Sequence, residues 1–460
     1  MKMNKYNLLA AAVSAALFSG AALAETEAET ILVAETDIAL DALSGDEAVS
    51  KAETVAIEKG VGTDVLKDGW EIHGYGSMNF RSIDGASVDT EFGKTDYKTA
   101  GTHGKSTNQV ELTIKKHTEH ANGVWSNFVV RSEYGNGNSF AYSSAGSQKD
   151  NTTAQFEIKE GFVEIGGLSY LGEDTSIWAG QRYLNRASGL LSGEFWKQSS
   201  GLGAGIQSKI AGHTAGFAIV TADPDVNATG DYDQRQTLTS YDLYYYGVDA
   251  GVGSLDFDVK YMSQANTDDD TGFGAAVTLN SSYYGLDGWT QTAIAYGQGI
   301  AKNRGVNFGG WAGGGDNEES IFLTSYGVLN ISENWQMGSE LTYFAALDEL
   351  FGAPGLKRYL AAVRPSYKVN DNLRIEATAS YGHEEGDEGY WGRSGDALES
   401  DIINLELAAA FTVNADYFGR PQIKPYLSYI SADDDASAEI IGISDGSSEI
   451  IAGVHTEIWF

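Results

Sequence analysis

From residue 70 to residue 460 the chain alternates apolar and polar side chains with a period of two. In Trp70-Glu71-Ile72-His73-Gly74-Tyr75-Gly76-Ser77-Met78-Asn79-Phe80-Arg81 the even positions are apolar or Gly, and the odd ones are Glu, His, Tyr, Ser, Asn and Arg. Successive side chains of a strand point to opposite faces, so this stretch has an apolar face and a polar face, with Tyr75 on the polar one. The last residues repeat the pattern: Val454, Thr456, Ile458 and Phe460 share one face, His455, Glu457 and Trp459 the other. Segments 109–114, 255–261, 373–379 and 403–411 alternate in the same way. These segments suit the roughly 9–11 residues with which a tilted strand crosses a bilayer. Phe460 is expected against lipid and Trp459 in a water-filled lumen.

The connections fall into two kinds. Asn122-Gly123, Glu333-Asn334, Asn370-Asp371-Asn372 and Asn414-Ala415-Asp416 suit tight hairpins, while 135–153, 264–272, 303–319, 382–400 and 431–448 are long and rich in Gly, Ser, Asn and Asp. Short turns on one side and long loops on the other are the asymmetry of an outer-membrane barrel. At about 22 residues per strand and connection, 70–460 accommodates roughly 16–18 strands. The expected fold is all-β, a transmembrane antiparallel barrel of about 18 strands.

The chain before residue 70 is different. Lys2 and Lys5, an apolar run from Leu8 to Leu23 and Ala22-Leu23-Ala24 before Glu25 read as a secretory signal peptide over 1–24. Residues 25–69 carry no aromatic side chain and many acids, with Ile31, Ile38, Leu40, Leu43, Val49, Ala52 and Val55 at helical spacings. They are expected to form an acidic periplasmic extension, either helical and coiled-coil-like or disordered. The absence of Cys excludes disulfides and thiolate metal sites. A formal charge of −34 argues against nucleic acid as a partner and favours cations over anions in a pore. No cofactor is expected. Asp268-Asp269-Asp270 and Asp433-Asp434-Asp435 offer oxygens to structural Ca²⁺ but lack the ordered spacing of a calcium loop, so solvated loop acids are the expectation.

Several segments resemble the maltoporin family of sugar-specific porins. They are His73-Gly74-Tyr75-Gly76, Trp178-Ala179-Gly180-Gln181-Arg182-Tyr183-Leu184-Asn185-Arg186 continuing to Gly203-Ala204-Gly205, Val363-Arg364-Pro365-Ser366-Tyr367-Lys368, Phe418-Gly419-Arg420-Pro421-Gln422-Ile423 and the terminal Glu457-Ile458-Trp459-Phe460. In order they span nearly all of 70–460. The resemblance implies a homotrimer in outer-membrane lipid and lipopolysaccharide, each subunit conducting sugars along a row of lumenal aromatics flanked by charges. Rings stack on the C–H face of a pyranose, and charged groups hydrogen-bond its hydroxyls. By this resemblance Tyr75, Trp459 and Phe418 belong to the aromatic row, Trp289 aligns with it less closely, and Phe140 or Tyr142 is the aromatic offered to a neighbouring subunit. Gln109 stands where the row has a Tyr on the second strand. For the constriction, Glu111 and Arg186 match family residues, Lys159 replaces an Arg, Ser188 and Gly193 stand where acids are expected, Glu194 lies one place along, and Phe195 replaces a Tyr.

Three functions compete on the residues alone. A sugar channel uses the lumenal rings. A general cation-preferring diffusion porin needs only the wall charges, with the rings at the membrane interface. Tyr244-Tyr245-Tyr246 and Tyr283-Tyr284 are expected at that interface or at subunit contacts. A barrel enzyme would use His73 and His455, which share the polar phase of the first and last strands, as a base or metal pair; no Ser or Asp at a defined spacing completes a triad, and an enzyme is not expected.

Overall fold

A computed structural model describes residues 69–460 except 88–98, 103–108, 136–154, 223–235, 267–270, 309–317, 352, 388–397, 434–437, 439–442 and 444–445. The signal peptide and the acidic extension lie outside the described residues. Eighteen antiparallel strands follow one another: β1 (Trp70–Ile83), β2 (Gln109–Glu119), β3 (Trp125–Gly135), β4 (Gln155–Gly166), β5 (Ser176–Ser188) and β6 (Phe195–Ile210). Then come β7 (His213–Ala222), β8 (Leu238–Asp249), β9 (Gly253–Gln264), β10 (Thr271–Tyr283), β11 (Leu286–Gly299) and β12 (Glu319–Ser332). The last six are β13 (Trp335–Ala346), β14 (Lys357–Asn370), β15 (Leu373–Gly386), β16 (Leu398–Thr412), β17 (Gln422–Ala432) and β18 (Ser448–Trp459). Each strand pairs with the next, and β1 pairs with β18 from Tyr75↔Trp459 to Ser82↔Ala452, which closes the barrel. The last residue extends the closure, since Phe460 and Gly74 exchange both backbone hydrogen bonds at 2.8 and 3.0 Å.

The alternation sorts the faces as expected. On β1 the side chains of Ser77, Asn79 and Arg81 are buried in the lumen while Met78 and Phe80 are exposed outward. On β18 Ile451 and His455 are buried, whereas Ile450, Val454 and Ile458 are exposed outward with Phe460. The outer surface is an apolar band because its solvent is lipid, and the polar groups turn inward to each other and to water. One end of the barrel carries short turns. Ala211-Gly212 and Tyr284-Gly285 place two successive residues at positive φ (54° and 87°, 49° and 86°), the geometry that matches strand twist in a two-residue hairpin. Neither pair stands out as a turn by composition.

The lumen is not an open bore. Segment 300–308, which follows β11, is buried throughout, and Asn307 and Phe308 pair in parallel with Gln198 and Ser199 of β6. It lies on a platform of small lumenal residues: Gly272, Gly274 and Ala276 of β10, Ala293, Ala295 and Gly297 of β11. A Cβ on Gly274 would stand 1.8 Å from the Gly305 carbonyl oxygen, and one on Gly297 would stand 2.1 Å from that of Ala301. Val306 joins Ala276, Ala293 and Ala295 in one apolar cluster, and Ile300 and Phe308 join Ala218, Val220, Leu238 and Met262 in another. At the two glycines even a methyl would collide with the segment, and at the alanines anything larger would crowd it. Gly297→Val should therefore leave the barrel inserted and heat-modifiable on gels, yet weaken docking of 300–308 by roughly 1–3 kcal/mol. Single-channel conductance should rise; an unchanged conductance would show that the platform does not hold the segment.

Candidate functional site

Three further segments enter the lumen and define its chemistry. The first follows β5. Residues 189–194 cross from β5 to Glu340 on β13, eight places away in the circle of eighteen strands. The carboxylate of Glu340, 1% exposed, accepts the N–H of Leu191 at 2.6 Å, the N–H of Ser192 at 3.0 Å and the Ser192 hydroxyl at 2.6 Å. A buried carboxylate is stable only when its lone pairs are filled, so acid and loop hold each other in place. Residues 99–102 enter beside it. The Thr102 N–H and hydroxyl donate to Glu406 at 2.7 and 2.5 Å, and Asn79 and Asn404 both donate to carbonyls of this segment at 2.8 Å. The two segments meet where Ala100, Leu190 and Leu191 pack with Ala362.

The predicted constriction residues gather where this crossing begins. The guanidinium carbon of Arg186 stands 4.1 Å from the ring centre of Tyr183 and 4.2 Å from that of Phe195. Arg304 of the 300–308 segment donates to the Phe195 carbonyl at 2.8 Å and to Glu194 at 3.1 Å. Glu111 accepts from Nε of Arg131 at 2.7 Å and from Gln109 at 2.5 Å, and Glu160 lies 3.5 Å from the other side of Arg131. Gln109, standing where a ring is expected, thus supports the adjacent constriction acid. A β-bulge opposite Arg131 and Ser132 turns both Lys159 and Glu160 inward. Lys159 pairs with Glu157 and lies 3.6 Å from Glu133.

The aromatic residues form two groups. Tyr75 and Trp459 are register partners across the barrel closure, both in the lumenal phase. The Tyr75 hydroxyl donates to Glu457 at 3.3 Å, Nε of Arg420 donates to the same carboxylate at 2.5 Å, and the Arg420 guanidinium lies 4.6 Å from the Trp459 ring centre. In the second group Trp289 stacks with Phe418 at 6.3 Å and meets Tyr326 edge-on at 6.4 Å. Phe418 reaches Trp289 because the connection 413–421 is no simple tight turn. Arg374 binds its carbonyls at Asp416 and Gly419 (3.0 and 3.4 Å), and the Tyr417 N–H donates to Gln336 at 2.8 Å, folding the connection into the lumen.

The structure corrects the expected placement of the first Tyr run. Tyr244 and Tyr246 face the lumen, stacked at 5.0 Å, with the Tyr246 hydroxyl donating to Asp258 at 2.5 Å; only Tyr245 of that run faces outward. Ser240 and Asp242, in the same phase, are the signal that places them. Tyr283 and Tyr284 do lie at the turn end, bonded to Ser339 and Ser325 at 2.7 and 2.6 Å. His455 registers with Asn79 and bonds Ser77 at 2.9 Å, six positions from His73, whose partner is Glu71 at 3.2 Å, so the two histidines form no pair. Phe140, Tyr142 and Asp268-Asp269-Asp270 lie outside the described residues, as do Asp434 and Asp435. Sequence reasoning missed Arg131, Tyr183, Arg304, Arg420 and Glu340, whose roles arise only from partners on other strands.

A closed barrel with an apolar outer band and a charged lumen crossed by its own loops defines a channel of the outer-membrane porin class. The family described as LamB porin matches residues 71–460, and the chain belongs to it. It is a multi-pass β-barrel of the bacterial outer membrane. A maltoporin of Vibrio cholerae serotype O1 is 26% identical over 329 residues, covering 66% of this chain and 77% of that one. The maltoporin of Hahella chejuensis is 25% identical over 315 residues (66% and 73%), and maltoporin 1 of Klebsiella pneumoniae 24% over 338 (69% and 78%). Among solved structures, OccAB4 of Acinetobacter baumannii aligns with a TM-score of 0.44 at 12% identity, covering 85% of this chain and 98% of that one. OccD3 (OpdP) of Pseudomonas aeruginosa aligns at 0.45 and 12%, covering 87% and 93%.

The Glu340 tether is testable. Glu340→Gln keeps the shape but replaces one accepting oxygen with a donor facing donors, removing charge-assisted bonds worth about 1.5–3 kcal/mol each. Segment 189–194 should loosen, seen as excess open-channel current noise in single-channel records. Wild-type noise in a folded Glu340→Gln pore would remove Glu340 from this role.

Proposed function

We propose that the channel conducts sugars by facilitated diffusion along its lumenal aromatics, with Tyr75, Trp459, Phe418 and Trp289 as stacking sites. Glu111, Lys159, Arg186, Glu194 and Phe195 flank the path at the crossing loop. The observation that carries the reading is the Tyr75↔Trp459 register pair, two rings in the lumenal phase beside the charged pair Arg420–Glu457. Rings facing water leave apolar surface uncovered, and a stacked pyranose would cover it while its hydroxyls meet the adjacent charges. The maltoporin relatives support oligosaccharides as the cargo, and the same relationship supports a homotrimer in lipid and lipopolysaccharide. Residues 25–69 are assigned to the periplasmic side of that assembly.

The competing reading is a general cation-preferring porin, which has no use for the rings. Trp459→Ala separates the two. If each ring contributes about 0.5–1.5 kcal/mol of stacking, the substitution should weaken current block by the preferred sugar several-fold and leave open-pore conductance equal or slightly higher. Replacing Arg186 should change both sugar block and ion selectivity. A wild-type pore that no oligosaccharide blocks, or block untouched by Trp459→Ala, would leave the general porin as the better account.

A further inference from the structure

A cavity of about 390 Å³ lies in the lumen between β1 and the wall formed by β2 to β6 and β8 to β11, with Tyr75 on one side and Arg182 among its lining residues. The acids that line it are committed. Glu160 takes the Tyr183 N–H at 3.0 Å and faces Arg131, Glu164 takes Asn127 and Ser176 at 3.1 and 2.8 Å, and Asp256 takes Asn280 and the Gly247 N–H at 2.9 and 2.8 Å. Its other cations are occupied as well: Lys115 lies 3.3 Å from Glu71, Lys197 lies 2.8 Å from Asp258, Arg131 joins Glu111 and Glu160, and Arg186 sits in the field of the same two acids.

Arg182 differs from all of these. Its guanidinium carbon lies 4.6 Å from the ring centre of Phe162 and 5.3 Å from that of Trp178, and no carboxylate among the described residues pairs with it. Ring contacts occupy the faces of a guanidinium and leave its N–H edges available. In a chain of net charge −34, a half-buried cation on a lumenal cavity with no carboxylate partner among the described residues is the exception. A single hydroxyl fills one N–H of such an edge. A carboxylate fills two in parallel and cancels the charge, which is the match the planar fork is built for.

We propose that Arg182, backed by Phe162 and Trp178, is a subsite for a carboxylate carried by the sugar, which makes the preferred cargo an acidic oligosaccharide containing uronic-acid units. This rests on the sugar-channel reading and narrows its substrate class. Tyr75 lines the same cavity and offers a ring to the C–H face of a sugar unit lodged there.

The test is current block in planar bilayers by two matched probes, maltotriose and a trisaccharide of the same linkage oxidised at C6 to glucuronic acid. The acidic probe should block the wild-type pore at a concentration about tenfold lower, the value of one charge-assisted contact. That advantage should shrink as salt rises, because the lumen is open to ions. Arg182→Gln should bring the two midpoints together, and Arg182→Lys, which keeps the charge but loses the fork, should retain part of the gap. If Arg182→Gln fails to insert, judged by its heat-shifted gel band, the Lys variant carries the test, and an undiminished gap there overturns the fork. Equal block by both probes, or stronger block by maltotriose, overturns the proposal while leaving the sugar channel standing. An acidic preference that survives Arg182→Gln also overturns it, by placing the carboxylate on another cation. Block by neither probe removes the sugar reading as well.

Discussion

Everything in this barrel follows from the need to pair every backbone N–H and C=O where no water is available. In hydrocarbon an unpaired edge costs several kcal/mol per group, so the sheet has to close, and β1 must meet β18. The eight paired positions from Tyr75↔Trp459 to Ser82↔Ala452, extended by the Phe460–Gly74 exchange, are that closure. Closure fixes register, and register fixes which side chains face inward, because a slip of one residue would send Trp459, Glu457 and His455 into lipid. The position of the aromatic pair in the lumen is thus a consequence of how the barrel solves its hydrogen-bonding problem.

The same constraint moves the protein's core. With lipid outside, there is no hydrophobic gain in packing the outer face against protein, and the apolar clusters assemble inside, around infolded segments. Segment 300–308 brings Ile300, Val306 and Phe308 onto a floor of Gly and Ala, and 189–194 brings Leu190 and Leu191 to Ala100 and Ala362. Between these dry patches the buried charges come in hydrogen-bonded sets such as Glu340 with its loop, Glu406 with Thr102, and Arg374 with Glu376 at 2.6 Å.

Much of this was legible from a period of two. The phase of Tyr75, Trp459 and Glu111 needed only their neighbours' polarity, and the tally of strands came from segment length. What was not legible depended on partners distant in the chain. Lys159 and Glu160 both face inward because a bulge breaks the alternation. Arg131 matters because Glu111 and Glu160 sit beside it on neighbouring strands, and Glu340 because a loop some 150 residues earlier reaches it. Tyr244 and Tyr246 were legible after all: Ser240 and Asp242 set their phase, and the attraction of a Tyr run to the membrane interface outweighed that signal in the reading of the sequence. The platform of Gly and Ala on β10 and β11 was equally visible as a pattern, but only the infolded segment explains it.

Net charge illustrates why composition and site must be argued separately. A balance of −34 describes the field a solute meets on approach, screened beyond about 8–10 Å at physiological salt. Inside, what counts is how each charge is paired with its neighbours. Glu111, Glu160, Asp258, Glu376 and Glu457 have cationic partners that offset their charge, whereas Glu406 accepts from the Thr102 and Ser428 hydroxyls. On the proposed reading, selectivity falls to the lumenal rings and to the few cations without a carboxylate partner. Arg182 is such a group, and its sign is opposite to that of the chain that carries it.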